Sequence, residues 1–265
     1  MAVAQNSLWA ALCMTTLAGL STGLGGLAVL WHWPGRRLLA RSLGFAAGVM
    51  LAVSLTDLAP AGLAYFSARM SPAGAGAAAG GLLLAGMLIG AAMDALLPEE
   101  QALWIGAAGP DAADRRRALH CGLAVALALV LHNLPEGILT LFSGIQDPRE
   151  GLRLSLAIAL HNLPEGISTA APLWYATHSR TKSALAAFAS GLAEPLGALL
   201  AYFVLSPLLS PGLLAALTLG AAGVMCWVSV AELLFGSFAL GSKGDAAAGF
   251  AAGVCGMLLG IAVLA

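Results

Sequence analysis

Apolar runs of about 20 residues recur along the whole chain, separated by short segments that contain Pro, Gly and most of the charge. A run of this length is what an α-helix needs to cross the hydrocarbon core of a membrane. The pattern therefore predicts an all-α integral membrane protein with a single transmembrane domain over residues 1–265. The eight predicted spans are approximately 7–31, 40–65, 74–97, 118–142, 152–176, 183–206, 211–237 and 245–264.

The composition supports a membrane protein. The 265-residue chain is 60% hydrophobic and only 9% charged, whereas soluble domains carry roughly 25% charged residues. Its 33 glycines favour close helix packing, because small residues let helix backbones approach in lipid. The formal net charge of −1 argues against a nucleic acid as partner, and the lipid bilayer is the expected surrounding.

Basic residues predict the orientation. Nine of the twelve Lys and Arg residues fall in the loops after spans 1, 3, 5 and 7. The positive-inside rule places these loops in the cytoplasm and both termini outside. His32, His120 and His178 fall at predicted cytoplasmic span ends and are expected to be solvated.

Two internal repeats are present. The segment H-N-L-P-E-G-I occurs at residues 132–138 and again at 161–167. A weaker repeat relates A-A-G-V-M at 46–50 in span 2 to the same letters at 221–225 in span 7, and its continuation aligns Asp57 with Glu232. Spans 2 and 7 cross in opposite directions, so this repeat predicts an inverted architecture, which is common among transporters. For Asp57 and Glu232, both an interfacial anchor and a place on an ion path stay open.

Five ionisable residues are predicted to lie near the middle of the membrane. His132, Glu136, His161, Glu165 and Glu194 fall near the middle of spans 4, 5 and 6, with no Lys or Arg at that depth. Such residues are functional candidates, because burying a charge in hydrocarbon is costly. Three uncompensated carboxylates must either take up protons or bind a cation. Neutral imidazole is a common metal ligand, so a cation also explains the two histidines.

The spacing of these residues predicts a shared site. His132 and Glu136 are four residues apart and so lie on one helical face, as do the equivalent residues of the second motif. Asn133 and Asn162 lie one position further round, where they can add carbonyl oxygens. Pro135 and the equivalent Pro164 each remove one helical N–H donor, so we expect two broken helices around a polar pocket.

This ligand set predicts the kind of ion. Mixed nitrogen and oxygen donors suit Zn²⁺, Fe²⁺, Mn²⁺ or Co²⁺ better than Ca²⁺ or Mg²⁺, and they can hold one ion or two. Met50, considered alone, predicts core packing. The preferred function is a divalent-metal carrier with no organic cofactor.

The alternatives are a metal-selective channel and a membrane-embedded metal-dependent hydrolase. A hydrolase needs an open coordination position, and the chain contains no His-Glu-x-x-His motif. We therefore expect that the chain is not an enzyme.

These motifs are similar to those of a known family. H-N-L-P-E-G in span 4, H-N-L-P-E-G-I-S in span 5 and S-G-L-A-E-P-L-G at 190–197 resemble the ZIP family of divalent-metal transporters, and look most like its bacterial ZupT/GufA-like branch. Residues 42–50 of span 2 also look like that family. The likeness covers all eight spans.

The resemblance carries several expectations. It implies a 3+2+3 helix arrangement, a bacterial inner-membrane location, extracytoplasmic termini and a homodimer. It also implies movement of the metal toward the cytoplasm with an elevator-like movement of the central helices. Our hypothesis is alternating-access uptake of zinc, and the Asn and Glu oxygens also admit iron, manganese, cobalt and cadmium. The implied two-metal centre consists of His132, Asn133, Glu136, His161, Asn162, Glu165, Glu194 at the second metal position and Met50 near the first.

Overall fold

The computed structural model describes residues 5–29, 31, 35–97, 112–205 and 210–264, and this part of the chain is helical with no β-strand. The described residues form eight helices, which confirms the all-α class. They are α1 (Gln5–Val29), α2 (Arg36–Ser67), α3 (Pro72–Leu96), α4 (Ala112–Gln146), α5 (Pro148–Thr177), α6 (Arg180–Val204), α7 (Pro211–Leu240) and α8 (Lys243–Leu264).

Seven of the eight described helices are both long enough and apolar enough to cross a membrane. The exception is α5, whose 30 residues reach about 45 Å and so suffice in length. His161, Asn162 and Glu165 lower its hydropathy, and all three are buried. Because α1, α4 and α6 pack around α5, its polar residues are shielded from lipid. The structure thus supports a multi-pass membrane protein.

The expected breaks at Pro135 and Pro164 are wrong. The helix continues through both prolines, and α5 also continues through Pro172. A proline removes one backbone hydrogen bond, but in a membrane helix the packing of neighbouring helices and local adjustment can compensate for that loss. The chain is interrupted elsewhere, at Leu192 in α6 and by π-helical turns in α2 and α7.

Glycines set the closest helix contacts. Gly44 and Gly48 of α2 lie against the backbone of α8, while Gly249 and Gly253 of α8 lie against the backbone of α2. A Cβ added at any of the four would collide with a backbone atom of the other helix. The pair therefore interlocks as small-xxx-small helices do in lipid. A second close pair joins α3 to α7, and the remaining helices α1, α4, α5 and α6 pack together.

The weaker repeat coincides with matching local structure in α2 and α7. Ser54 begins a π-helical turn and donates to the Met50 carbonyl at 2.7 Å, while Ser229 begins another and donates to the Met225 carbonyl at 2.6 Å. Both serines and both methionines are fully buried. Asp57 and Glu232 lie inside these turns. π-helical turns occur frequently at functional sites, and here they carry the two aligned acids.

Arginines join helix ends on one side of the bundle. Arg36 of α2 pairs with Asp114 of α4 at 2.9 Å. Arg115 of α4 donates two hydrogen bonds to the Ala176 carbonyl near the end of α5. These contacts bring the start of α2, the start of α4 and the end of α5 together, as eight helices of alternating direction require.

Candidate metal site

The two H-N-L-P-E-G segments face each other across α4 and α5. These helices are antiparallel neighbours, because only Asp147 separates them. His132, Glu136, His161 and Glu165 are at most 2% exposed. None of the four points into lipid, so the geometry that a shared site requires is present.

The contacts between the segments are reciprocal. His132 Nε2 of the first motif lies 3.1 Å from Glu165 Oε1 of the second. His161 Nε2 of the second motif lies 3.4 Å from Glu136 of the first. Each histidine therefore contacts the glutamate of the other helix, and a local two-fold arrangement relates the two motifs. The i, i+4 spacing predicted that His and Glu share a face, but it did not predict this crosswise pairing.

The two asparagines connect the motifs to the flanking helices. Asn133 donates its amide N–H to the Ser190 carbonyl of α6 at 3.1 Å. Asn162 donates to the Ala18 carbonyl of α1 at 2.9 Å and also to Glu194 Oε1. Using the nitrogens in this way leaves both Oδ1 atoms for another partner. Ser190 and Ala18 were missed by the sequence analysis, since a backbone carbonyl leaves no mark in a sequence.

Glu194 is the third buried acid of the site. It is fully buried, begins the second half of α6 just after Leu192, and accepts an N–H of Asn162, so α6 approaches the motifs closely. Gly137 makes this approach possible, because a Cβ there would collide with the backbone of Glu194. Gly166, the equivalent glycine of the second motif, lies against the backbone of Thr22 in α1 in the same way. The motif glycines therefore close α6 and α1 over the site.

Five amide and carboxylate oxygens of this region are buried and accept no hydrogen bond from the described residues. They are Asn133 Oδ1, Glu136 Oε1, Asn162 Oδ1, Glu165 Oε2 and Glu194 Oε2. Buried polar atoms are satisfied almost everywhere in proteins. A cation-binding pocket is an exception that needs such oxygens. The donor set therefore suits a divalent metal ion as cargo, and its residues stay predicted ligands.

Met50 belongs to the apolar core. It is fully buried, in a cluster that includes Leu129 of α4, Ala171 of α5 and Met225 of α7. This position agrees with the packing role that its residue type alone predicts. The ligand role that the resemblance implies stays a prediction.

Comparison with known proteins now decides the family. A family profile described as "ZIP Zinc transporter" matches residues 109–265. Proteins named "Zinc transporter ZupT" from Chlorobium limicola and Chlorobium luteolum are 38% and 41% identical to the chain over 98% of its length, which covers 97% and 100% of the relatives. A third ZupT, from Corynebacterium efficiens, is 39% identical over 95% of the chain and 96% of its own length.

The chain belongs to the ZIP zinc transporter family. Both H-N-L-P-E-G motifs lie inside the matched segment. The ZIP family is one of transporters, so the chain is a transporter and not an enzyme. The alternative of a metal-dependent hydrolase no longer applies.

A second cluster of metal-ligand residues lies apart from the motifs of this ZIP protein. His120 of α4 lies between two carboxylates, 3.8 Å from Asp94 of α3 and 3.7 Å from Glu232 of α7. Ligand atoms of the three residues all lie within 4.8 Å of one another, and their side chains are 11–28% exposed. A cavity of about 350 Å³ adjoins His120 and Glu232 and is also lined by Arg117.

The position of His120 corrects one prediction. His120 is mostly buried between acids, whereas His178 is exposed at the end of α5 as expected and His32 lies outside the described residues. The sequence did contain a signal. Asp94 and Glu232 end their predicted spans and His120 begins its own, so the topology places all three at one membrane face.

Crosswise pairing gives a testable result. In metal-free detergent, double-mutant cycles with alanine at the His position and Gln at the Glu position measure the coupling free energy of unfolding. We expect about 1 kcal/mol or more between His132 and Glu165, since contacting residues couple in that range. The coupling between His132 and Glu136 should be smaller, although these two are neighbours on one helix. A larger value for the second pair would contradict the observed arrangement.

Proposed function

We propose that the chain carries zinc into the cytoplasm by alternating access through the buried His/Asn/Glu site. Iron, manganese, cobalt and cadmium ions, which accept similar mixed ligands, are further substrates. The observation that carries this proposal is the complete burial of three glutamates without a Lys or Arg partner at their depth. A divalent cation supplies the missing positive charge at lower cost than three isolated anions in hydrocarbon.

Burial also favours a carrier over a channel. His132, Glu165, Asn162 and Glu194 have no exposed surface. An ion therefore reaches or leaves them only when the surrounding helices rearrange, which is the defining property of alternating access. An open channel would keep a water-filled path to its selective residues.

The donor set supports two ion positions. The first comprises the crosswise pairs of His132, Glu136, His161 and Glu165, with the Met50 thioether proposed nearby. The second comprises Asn133, Asn162 and Glu194, and shares the motif glutamates. Carboxylates that bridge two ions would explain why three acids serve one site.

The proposed membrane arrangement follows from charge and symmetry. The arginine-rich helix ends lie together on one side of the bundle, and the positive-inside rule assigns that side to the cytoplasm of a bacterial inner membrane. Helices α1–α3 and α6–α8 then form an inverted repeat around α4 and α5, with both termini outside. A homodimer in the bilayer completes the proposed assembly.

We assign the cluster of Asp94, His120 and Glu232 to the release of the ion. It lies on the arginine-rich side, beside a cavity that includes Arg117, and its side chains are partly exposed. This cluster has fewer candidate ligands than the central site, and they are more exposed to water. It can therefore accept the ion and release it to water.

Uptake of radioactive zinc into proteoliposomes tests the central proposal. Glu136→Ala and His161→Ala should each reduce the initial rate about tenfold or more, because each removes a ligand of the buried site. His178→Asn removes an exposed imidazole at the end of α5 and keeps a residue type that tolerates the left-handed backbone found there, so this control should transport normally. Full uptake by both site variants would remove the proposal.

Equilibrium dialysis tests the release site separately. His120→Ala should bind one zinc ion fewer per chain than the unmodified protein while keeping its central ions, since the cluster shares no residue with the motifs. An unchanged number of bound ions would exclude this role for the cluster and leave the central site unaffected.

A further inference from the structure

A groove of about 460 Å³ opens on the arginine-rich side of the bundle, between α2, α5 and α8. Arg41 and Ser42 line its polar end, and Phe45, Ile167 and Ala252 line its apolar part. We propose that this groove binds an anionic phospholipid of the adjoining leaflet. The headgroup phosphate lies on Arg41, and one acyl chain follows the apolar wall.

Charge at the polar end matches an anionic headgroup. Arg37 and Arg41 both donate their Nε–H to the same oxygen of Asp245, at 2.9 and 2.7 Å. Two guanidinium groups against one carboxylate leave one net positive charge. A guanidinium has five N–H donors, so Arg41 keeps its terminal N–H groups for a ligand in the groove that it lines. Arginine suits this task because its planar donors match phosphate oxygens.

The contacts of Arg36 differ from those of Arg41. It pairs with Asp114 at 2.9 Å and donates to the Leu240 carbonyl at 3.2 Å, so its contacts join helix ends. Arg36 does not line the groove. Among these neighbouring arginines, Arg41 is the one that combines a lining position with a carboxylate shared with another arginine.

The apolar part runs in the direction of an acyl chain. Ala252 lies nine residues after the start of α8 at Lys243, which is about 13 Å deeper along the helix axis. Phe45 lies about one turn deeper than Arg41 on α2. The floor is the interlocked α2–α8 pair, since a Cβ on Gly249 would meet the Arg41 carbonyl. The groove therefore offers a cationic group at headgroup level and apolar surface at chain depth.

A cationic end followed by an apolar wall favours a phospholipid over other ligands. Free phosphate would use Arg41 but has nothing to place on Phe45 and Ile167. An uncharged lipid would use the apolar wall but leave the extra positive charge unpaired. Basic pockets between membrane helices are a recognised type of anionic-lipid site.

Lipid bound here touches both α5, which carries the second motif of the proposed carrier site, and the α2–α8 pair. Ile167 directly follows the second H-N-L-P-E-G motif on α5, whereas the opposite walls belong to the interlocked α2 and α8. An acyl chain packed between α5 and the α2–α8 pair would stabilise one arrangement of these helices. This consequence rests on the proposed function, but lipid binding itself does not.

Thermal unfolding and native mass spectrometry in mixed micelles test the binding, with dioleoylphosphatidylglycerol as probe and dioleoylphosphatidylcholine as the neutral comparison. Both measurements are made without zinc. The unmodified protein should retain phosphatidylglycerol and gain thermal stability from it. Arg41→Gln should lose at least half of that gain. Arg37→Gln removes the same charge and a contact to the same Asp245 oxygen but does not line the groove, so it should lose clearly less of the gain than Arg41→Gln.

Equal losses in both variants would overturn the proposal, because they would show a general effect of interfacial charge. A protein that gains as much from phosphatidylcholine would overturn it as well. So would inorganic phosphate that stabilises the protein as strongly as the lipid, since the apolar wall would then be irrelevant.

The apolar wall has its own matched pair of variants. Ala252→Phe fills the groove, while Ala251→Phe places the same ring on an exposed position of α8 outside it. We expect Ala252→Phe alone to lose bound phosphatidylglycerol. If both variants retain phosphatidylglycerol, the assigned position of the acyl chain is contradicted. Because these readouts involve no metal, a negative result leaves zinc uptake untouched, and failed zinc uptake leaves lipid binding intact.

Discussion

The burial of Glu136, Glu165 and Glu194 without a Lys or Arg at their depth is the constraint on which the rest of the structure depends. All three carboxyl groups are buried, and the side chains that contact them are the two histidines and the neutral amide of Asn162. Histidine can share a proton with a glutamate, but two histidines cannot balance three acids. In the proposed function a divalent ion resolves the imbalance, and a protein that must release such an ion has reason to place no Lys or Arg beside the acids.

Close packing creates the site as much as the ligands do. Gly137 and Gly166 let α6 and α1 approach the two motifs to backbone contact. This closeness lets Asn133 and Asn162 donate to carbonyls of those flanking helices. The amide nitrogens are thereby held in place, and both amide oxygens are buried without a hydrogen-bond donor among the described residues. Each H-N-L-P-E-G segment thus carries its predicted ligands together with the residues that orient them.

Much of this arrangement could be predicted from the sequence, because an exact repeat and the cost of buried charge are both visible there. The helical class, the facing motifs and the burial of Glu194 follow from those two facts. The crosswise pairing of His132 with Glu165 could not be predicted, since it depends on the rotation of α4 against α5. Continuity through Pro135 depends on neighbouring helices, and the contact of His120 with Asp94 joins residues whose spans packing alone brings together.

The most direct test is anomalous scattering from crystals grown with zinc. The account predicts a strong zinc peak between α4 and α5, at coordination distance, about 2.0–2.2 Å, from His132 or His161 and from at least one motif glutamate. A second peak beside Glu194 would establish two ions. Density without any zinc between the motifs, in crystals that hold zinc elsewhere on the protein, would show that the three acids are neutralised by protons and would contradict the account.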